Sequence, residues 1–533
     1  MKIGRNEICP KCDSGKKYKK CCGDPRIKSN DRTTILDGVD FDSIISGLKT
    51  KELIRKQQQG LGKPIIQTKF EGQQIVAVGS TLYHSPNWNT FPDFLSDYIK
   101  MVMGSDWGNN EIKKGPRDRH IIIQWYQNYC VHQKKYLTQQ GIVQSMPTNG
   151  LCHCYIGLAY NLYLLKHNVE LQQRFIERLK DINNFQGAYY ELIVANCLIR
   201  AGFDLELEDE QDESSKHCEF SAVSKKTGKK YWVEAKARSV AGVLGKTEKN
   251  GTKRKNPTAR ISSHLKNALL KPASNERLIF IDLNAPCDDD KMPDWFDRAE
   301  KILKMKDADL ADGISAYVFI TNFSFHYRLN KEKQPITALT YGLGIPDYAK
   351  NEPLRCSEIY RRKQKHIDCF NIMDSFKSYF EIPQTFDGSL PSENLNGPSQ
   401  RIIIGEKYFF EEEGYVATVT DATVDETSKK IFIGTDEGYI LTKQMSDSEF
   451  EDFKRHPDVY FGIVRRQGKK SENEYEFFEY MVDIHMSYSR ESTLNKLENS
   501  HDYKQLKKLN KEDLVVEYCE RLVGTIINRR KDN

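Results

Sequence analysis

The stretch FQGAYYELIVANCLIRAGFDLELEDEQDESSKHCEFSAVSKKTGKKYWVEAK, residues 185–236, decides how the chain is read. Its opening repeats Ala188, Leu192, Ala195 and Ile199 at helical spacing. Glu191 stands beside that stripe, and Gly202 follows it where glycine commonly closes a helix. Residues 216–223 then alternate in period two, with Cys218, Phe220 and Ala222 on one face and Glu219 on the other. Thr227-Gly228 supplies a turn, and residues 230–236 return as the partner strand of a hairpin. Successive strand side chains point to opposite faces, so Trp232, Glu234 and Lys236 emerge together while Tyr231, Val233 and Ala235 enter the core. Downstream, residues 277–283 (RLIFIDL) and 314–320 (ISAYVFI) are near-continuous apolar runs, suited to strands buried on both faces.

A carboxylate and an ammonium two positions apart on one strand can serve metal-assisted phosphodiester hydrolysis. The acid holds a hard divalent cation through oxygen, and the lysine steadies the attacking water or the charge that builds on phosphorus. Most such triplets instead mark a solvated strand edge with a cross-strand charge pair; here the flanking helix and hairpin supply the context that favours the first reading. On these residues the stretch resembles the PD-(D/E)xK nuclease superfamily, which uses a helix acid, a strand acid and a following (D/E)xK. By position the resemblance makes Glu191 the helix acid, Glu219 the first strand acid, Glu234 the second and Lys236 the lysine. Glu219 stands where the family more often has Asp, one methylene shorter. The fold implied is α/β: a restriction-endonuclease-like mixed central sheet flanked by helices. The cofactor implied is Mg2+ or Mn2+, bound by Glu219 and Glu234 with Glu191.

A second cluster lies at the start of the chain: Cys9-Pro10-Lys11-Cys12, eight residues, then Cys21-Cys22. Four thiolates grouped so closely can close a tetrahedral site, and zinc is the usual occupant of an all-sulfur shell. So short a segment has no core to bury four unrelated cysteines, and metal binding would supply its folding energy. With Gly4-Arg5-Asn6-Glu7 and the run from Ser14 through Lys16-Lys17-Tyr18-Lys19-Lys20 to Gly23, the segment resembles the SEC-C motif. Its first two cysteines are spaced by two residues rather than the usual one. The resemblance implies structural zinc and a docking role towards a protein partner; a closed site leaves no coordination position for substrate.

A chain of 533 residues exceeds one hydrophobic core. The expected organisation is a zinc knuckle at 1–26, an α+β region at 27–115, a helical region at 116–184, the nuclease-like domain at 185–328, a linker with one helix at 329–400, a small β-rich module at 401–488 and closing helices at 489–533. Within these, helices are expected over 91–103, 121–137 and 258–270, and strands at 401–404, 415–419, 430–433 and 460–464, arranged as a small sheet or barrel. Leu514, Val515, Tyr518, Leu522 and Ile526 form an apolar stripe suited to internal packing or to a homodimer. Cys152-His153-Cys154 reads as a helix start with small buried thiols rather than a second metal site.

The net charge of +5, from 80 basic and 75 acidic residues, is close to balance, so a nucleic-acid partner must be argued from local patches. Lys253, Arg254 and Lys255, in the loop after the ExK strand, are the candidate contacts to a phosphate backbone. No apolar run reaches the roughly 20 residues of a membrane helix, and thirteen cysteines without a signal sequence read as reduced thiols and metal ligands. No membrane partner and a cytoplasmic location are therefore expected. The expected activity is that of a metal-dependent endonuclease, DNA favoured over RNA, with restriction or phage defence as the implied biology. The competing reading is a zinc-bearing adaptor that binds nucleic acid or protein without turnover.

Overall fold

A computed structural model describes Lys17 and residues 41–139, 141–207, 220–246, 256–271, 273–287, 293–348, 354–395, 401–411, 413–464, 471 and 473–531. The chain divides into two compact units, Met1–Lys49 and Thr50–Asn533. Helix α1 (Phe41–Gln59) spans the boundary. The second unit is mixed α/β, with three sheets among the described residues. It begins with an antiparallel meander of β1 (Ile66–Phe70), β2 (Gln73–Val78) and β3 (Thr81–Ser85). Helices α2 (Phe91–Met103), α3 (Ser105–Lys113), α4 (Ile121–Tyr136), α5 (Gly150–Asn168), α6 (Gln173–Lys180) and α7 (Phe185–Arg200) follow. The α2 start is a capping box in which Thr90 and Asp93 satisfy each other's backbone N–H groups, with Pro92 in the first turn. Helix α5 is apolar almost all round and buried along nearly its whole length, as a helix enclosed by others must be. Cys152 and Cys154 sit in its first turns as buried thiols.

The central sheet has six strands in sequence order: β4 (Phe203–Leu207), β5 (Phe220–Ser224), β6 (Lys230–Ala237), β7 (Glu276–Asp282), β8 (Ala316–Phe323) and β9 (Ile336–Leu343). The pairs β4–β5, β5–β6 and β8–β9 are antiparallel; β6–β7 and β7–β8 are parallel. The parallel pairs require crossovers, which α8 (Ile261–Leu269) and α9 (Trp295–Ala308) supply. Gly228, at φ +71°, makes the hairpin turn between β5 and β6.

Alternation sorts the side chains by face. Tyr231, Val233, Ala235, Leu278, Phe280 and Phe319 pack with α7 on one side. Ile279, Ile281, Val318 and Ile320 pack with α8 and α9 on the other. The Phe280 and Phe319 rings stack 4.6 Å apart between neighbouring strands.

Two expectations change. The stretch read as a linker with one helix contributes β9, the antiparallel edge of the sheet, and two helices, α10 (Cys356–Lys365) and α11 (Ile367–Lys377). They break at His366, whose Nδ1 lies 2.8 Å from the Tyr317 hydroxyl of β8. The β9 strand was hidden because its Thr, Ala and Gly residues carry little apolar contrast, and its partner β8 makes the difference. After α12 (Pro391–Leu395), the β-rich segment is an open sheet of β10 (Lys407–Phe410), β11 (Tyr415–Asp425), β12 (Lys430–Thr435) and β13 (Ile440–Gln444), covered by α13 (Asp447–Arg455). Residues 401–404 and 460–464 lie outside its strands, and their apolar side chains Ile402, Tyr460 and Phe461 fill its core instead. Last come α14 (Glu474–His485), α15 (Arg490–Asn495), α16 (Tyr503–Leu506) and α17 (Lys511–Lys531). Leu514 and Val515 of the apolar stripe are fully buried within the chain, Val515 against Phe478 and Val482 of α14.

Arg200, at the end of α7, is buried and donates to the carbonyls of Ser378 (2.5 Å), Glu381 (2.9 Å) and Gln58 (3.3 Å). Its guanidinium joins three segments distant in sequence, so Arg200→Ala is expected to lower stability by about 3 kcal/mol, and Arg200→Lys to recover only part because an ammonium lacks the planar fork. Urea unfolding followed by tryptophan fluorescence checks this; an unchanged midpoint would refute it.

Candidate active site

Glu234 and Lys236 lie on β6 as alternation requires, on the face shared with Ile279 and Ile281 of β7, their partners in the parallel register. The Glu234 carboxylate is 3 % exposed. Its Oε1 lies 3.1 Å from Lys236 Nζ, and its Oε2 accepts a 2.6 Å hydrogen bond from Lys271 Nζ. Oε1 takes no aligned hydrogen bond among the described residues.

The lysines arrive from two directions for one topological reason. Helix α8 runs back beside β6 before the chain enters β7. Its early residue His264 lies close enough to Lys236 to feel its charge, while Lys271, just past its end, reaches Glu234. Burial first, then Arg260 and Lys236, holds the His264 imidazole below its usual range, so at neutral pH it is uncharged. Arg277 donates to the Lys271 carbonyl at 3.0 Å and anchors that corner.

Glu191 is on α7, buried, with Oε1 2.6 Å from Arg178 Nη2 of α6. The structure thus brings Glu234 and Lys236 together and engages Glu191 with an arginine on the helix packed at its side. Glu219, the residue before β5, lies outside the described residues, as do Cys9, Cys12, Cys21 and Cys22 and the loop residues Lys253, Arg254 and Lys255. Phe220, the first residue of β5, pairs with Val233, the neighbour of Glu234. Among the described residues no group of three or more His, Cys, Asp or Glu is placed to hold a metal ion, and no helix is long and apolar enough to cross a membrane. The basic run on α10 is compensated: Lys363 pairs with Glu479, Lys365 with Asp347 and Arg361 with Asp513.

A polar network closes the carboxyl ends of the parallel strands, the place where open α/β sheets bind ligands. Asp282, at the end of β7, accepts from Thr321 Oγ1 (3.0 Å), Phe323 N (3.0 Å) and Asn284 N (2.9 Å). Asn284, at φ +43°, donates to the Arg238 carbonyl (3.1 Å), and Gln186 of α7 donates to the carbonyls of Val240 (2.8 Å) and Val243 (2.7 Å). This clamp sets the path of the chain leaving β6 after Lys236. Neither Lys271 nor the clamp carries a sequence signature: a lone lysine after a helix and an Asp ending an apolar run are common, and only the crossover gives them partners.

No protein-family model, curated protein or solved structure matches this chain.

Burial raises the Asp282 carboxyl from 3.8 to about 6, since its three donors only partly replace lost hydration. The folded protein therefore holds this proton where the unfolded chain has released it. Stability falls by roughly 3 kcal/mol as pH rises from about 4 to about 6, then levels off. Asp282→Asn is expected to flatten that part of the stability profile; urea midpoints of both proteins between pH 4 and 7 that stay parallel would refute it.

Proposed function

We propose that the protein is a metal-dependent nuclease of the PD-(D/E)xK type, acting on nucleic acid with DNA favoured. The observation that carries this reading is the buried Glu234 carboxylate beside Lys236 on the return strand of a hairpin, within a mixed sheet flanked by helices. A solvated strand-edge pair would not be buried to this degree. Glu234 Oε1, buried and 3.1 Å from the Lys236 ammonium, would be the hard oxygen ligand that Mg2+ or Mn2+ takes. Glu234 and Glu219 would hold the ion; Glu191, on the helix that covers the opposite face of the sheet, stays paired with Arg178. When bound, the ion supplies Lewis-acid charge and an activated water. Lys236, one-third exposed, offsets the negative charge that gathers on the phosphoryl oxygens and orients the attacking water. Neutral His264 beside it can accept or donate a hydrogen bond without adding charge. Lys253, Arg254 and Lys255 would follow the substrate backbone.

The N-terminal cysteines would hold zinc in a separate structural role: four thiolates complete a tetrahedral shell, and the knuckle would dock a partner. Restriction or phage defence is the biology that this combination implies, in the cytoplasm. A second reading, a zinc-bearing adaptor without turnover, is favoured by one observation: both described acids are already ion-paired, Glu191 to Arg178 and Glu234 to two lysines.

Incubation with plasmid, single-stranded DNA and RNA in Mg2+, Mn2+ or EDTA separates the two. Metal-dependent cutting that falls roughly 10²-fold or more in both Glu234→Ala and Lys236→Ala is expected; binding without cutting in the wild type, unaltered in both variants, would establish the adaptor instead. For the knuckle, metal analysis of purified protein is expected to find about one zinc per chain, lost in the Cys9→Ser/Cys12→Ser double variant. Equal zinc in both proteins would overturn that assignment.

A further inference from the structure

We propose that Trp232 is a stacking platform for an unpaired base, so that the nucleic acid taken by this face of the sheet is single-stranded; this rests on the reading of the chain as a protein that acts on nucleic acid, and needs no metal. Trp232 precedes Glu234 by two residues on the same face of β6, roughly 6.6 Å along the strand. Helices α8 and α9 cover that face over β7, β8 and β9. Over β4 to β6 the same face leaves Asp204, Glu206 and Lys230 exposed, and Trp232 half-buried among them. Trp88, Trp125 and Trp295, which serve packing, are buried.

Cations flank the indole on both sides. Lys230, the preceding residue on this face, holds its Nζ 5.6 Å from the ring centroid and 3.2 Å from a Glu206 oxygen. That pair is exposed at both ends, and so exposed a pair is weak; a phosphate can take the place of Glu206. The hairpin turn adds Lys225, Lys226 and Lys229, all exposed. On the other side, Arg277 is the register partner of Trp232 on β7 and bonds to the Lys271 carbonyl, while the Lys271 and Lys236 ammoniums share Glu234. One carboxylate cancels only one of those two charges. Trp232 Nε1 donates to Ser274 Oγ at 3.3 Å, which fixes one edge of the ring. An oriented aromatic ring between cations recognises a polyanion whose bases are free to stack: the ring takes a base whatever its sequence, and the lysines take the phosphates on either side. A base inside a duplex has both faces covered by its neighbours, so a duplex offers this strip phosphates alone.

The test uses zinc-loaded full-length protein in buffer free of Mg2+ and Mn2+, where nothing is cut. The probes, each of about ten nucleotides, are oligo(dT), the same backbone without bases, and a duplex. Binding is read by fluorescence anisotropy of the labelled probe and by tryptophan emission. Oligo(dT) is expected to bind roughly tenfold more tightly than the abasic strand or the duplex, and to quench the emission. Trp232→Leu is expected to lose that advantage and the quench while binding the abasic strand as wild type does; Trp232→Phe, which keeps a ring, retains most of the advantage. Far-ultraviolet circular dichroism confirms the fold of each. The wild-type comparison needs no variant to fold: an abasic strand or a duplex bound as tightly as oligo(dT) overturns the proposal. An advantage that survives in Trp232→Leu overturns it too, as does an equal weakening of all probes in that variant, which marks a merely structural role, or the absence of binding to any probe. The outcomes separate from those of the nuclease reading. A Trp232-dependent preference for oligo(dT) in a protein that cuts nothing when Mg2+ or Mn2+ is added leaves the platform and removes the activity. Cutting that depends on Glu234 and Lys236, with binding indifferent to Trp232, leaves the activity and removes the platform.

Discussion

A carboxylate buried in an apolar sheet is the constraint on which the centre of this molecule depends. Glu234 has Val233 and Ala235 as strand neighbours and Ile279 as its partner on β7, and an isolated ion there would cost several kcal/mol in lost hydration. Two ammoniums offset that cost. Lys236 is delivered by the two-residue repeat of the strand; Lys271 is delivered only if the chain leaves β6, crosses through α8 and returns. The ion pair and the parallel β6–β7 crossover therefore depend on each other, since the register that buries Glu234 also brings its second partner.

Strand β6 is pinned at both ends by buried polar groups whose partners are hydroxyls and amides rather than opposite charges. At its start, Asp368 of α11 accepts from Tyr231 (2.8 Å), from Ser224 (2.6 Å) and from Thr227 in the hairpin turn (2.6 Å). At its end, Asp282, Asn284 and Gln186 fix the departing chain. Between these clamps the alternation of β6 cannot slip by one residue, and a slip would exchange Glu234 and Lys236 for Val233 and Ala235. The scaffold thus fixes the acid from either side, while Glu191 is positioned separately through Arg178 on α6.

Much of this was legible in the residues alone. Helix α2 was expected over 91–103 and spans those bounds because Thr90, Asp93 and Gly104 close it locally. The hairpin of β5 and β6 was legible because period-two alternation and Thr227-Gly228 are local signals, and β7 and β8 because continuous apolar runs mark strands covered on both faces. The β9 edge, the break at His366 and the packing of Ile402, Tyr460 and Phe461 beneath a sheet they do not join were not legible, because each is decided by a neighbour far away in the chain. Residues 460–464 show why: a run of β-branched and aromatic side chains records the need for burial, not the backbone form in which burial is achieved.

The same division holds at the site. By itself the sequence determined that Glu234 and Lys236 share a face, that Tyr231, Val233 and Ala235 oppose them, and that Glu191 rides on the helix before the hairpin, because strand and helix periods are properties of the local backbone. Only the tertiary structure decided that Glu234 is buried, that Lys271 is its second partner, that Arg178 takes Glu191 and that Asp282 keeps its proton to about pH 6. Burial and charge pairing depend on which segments meet across the sheet, and no spacing along the chain encodes that.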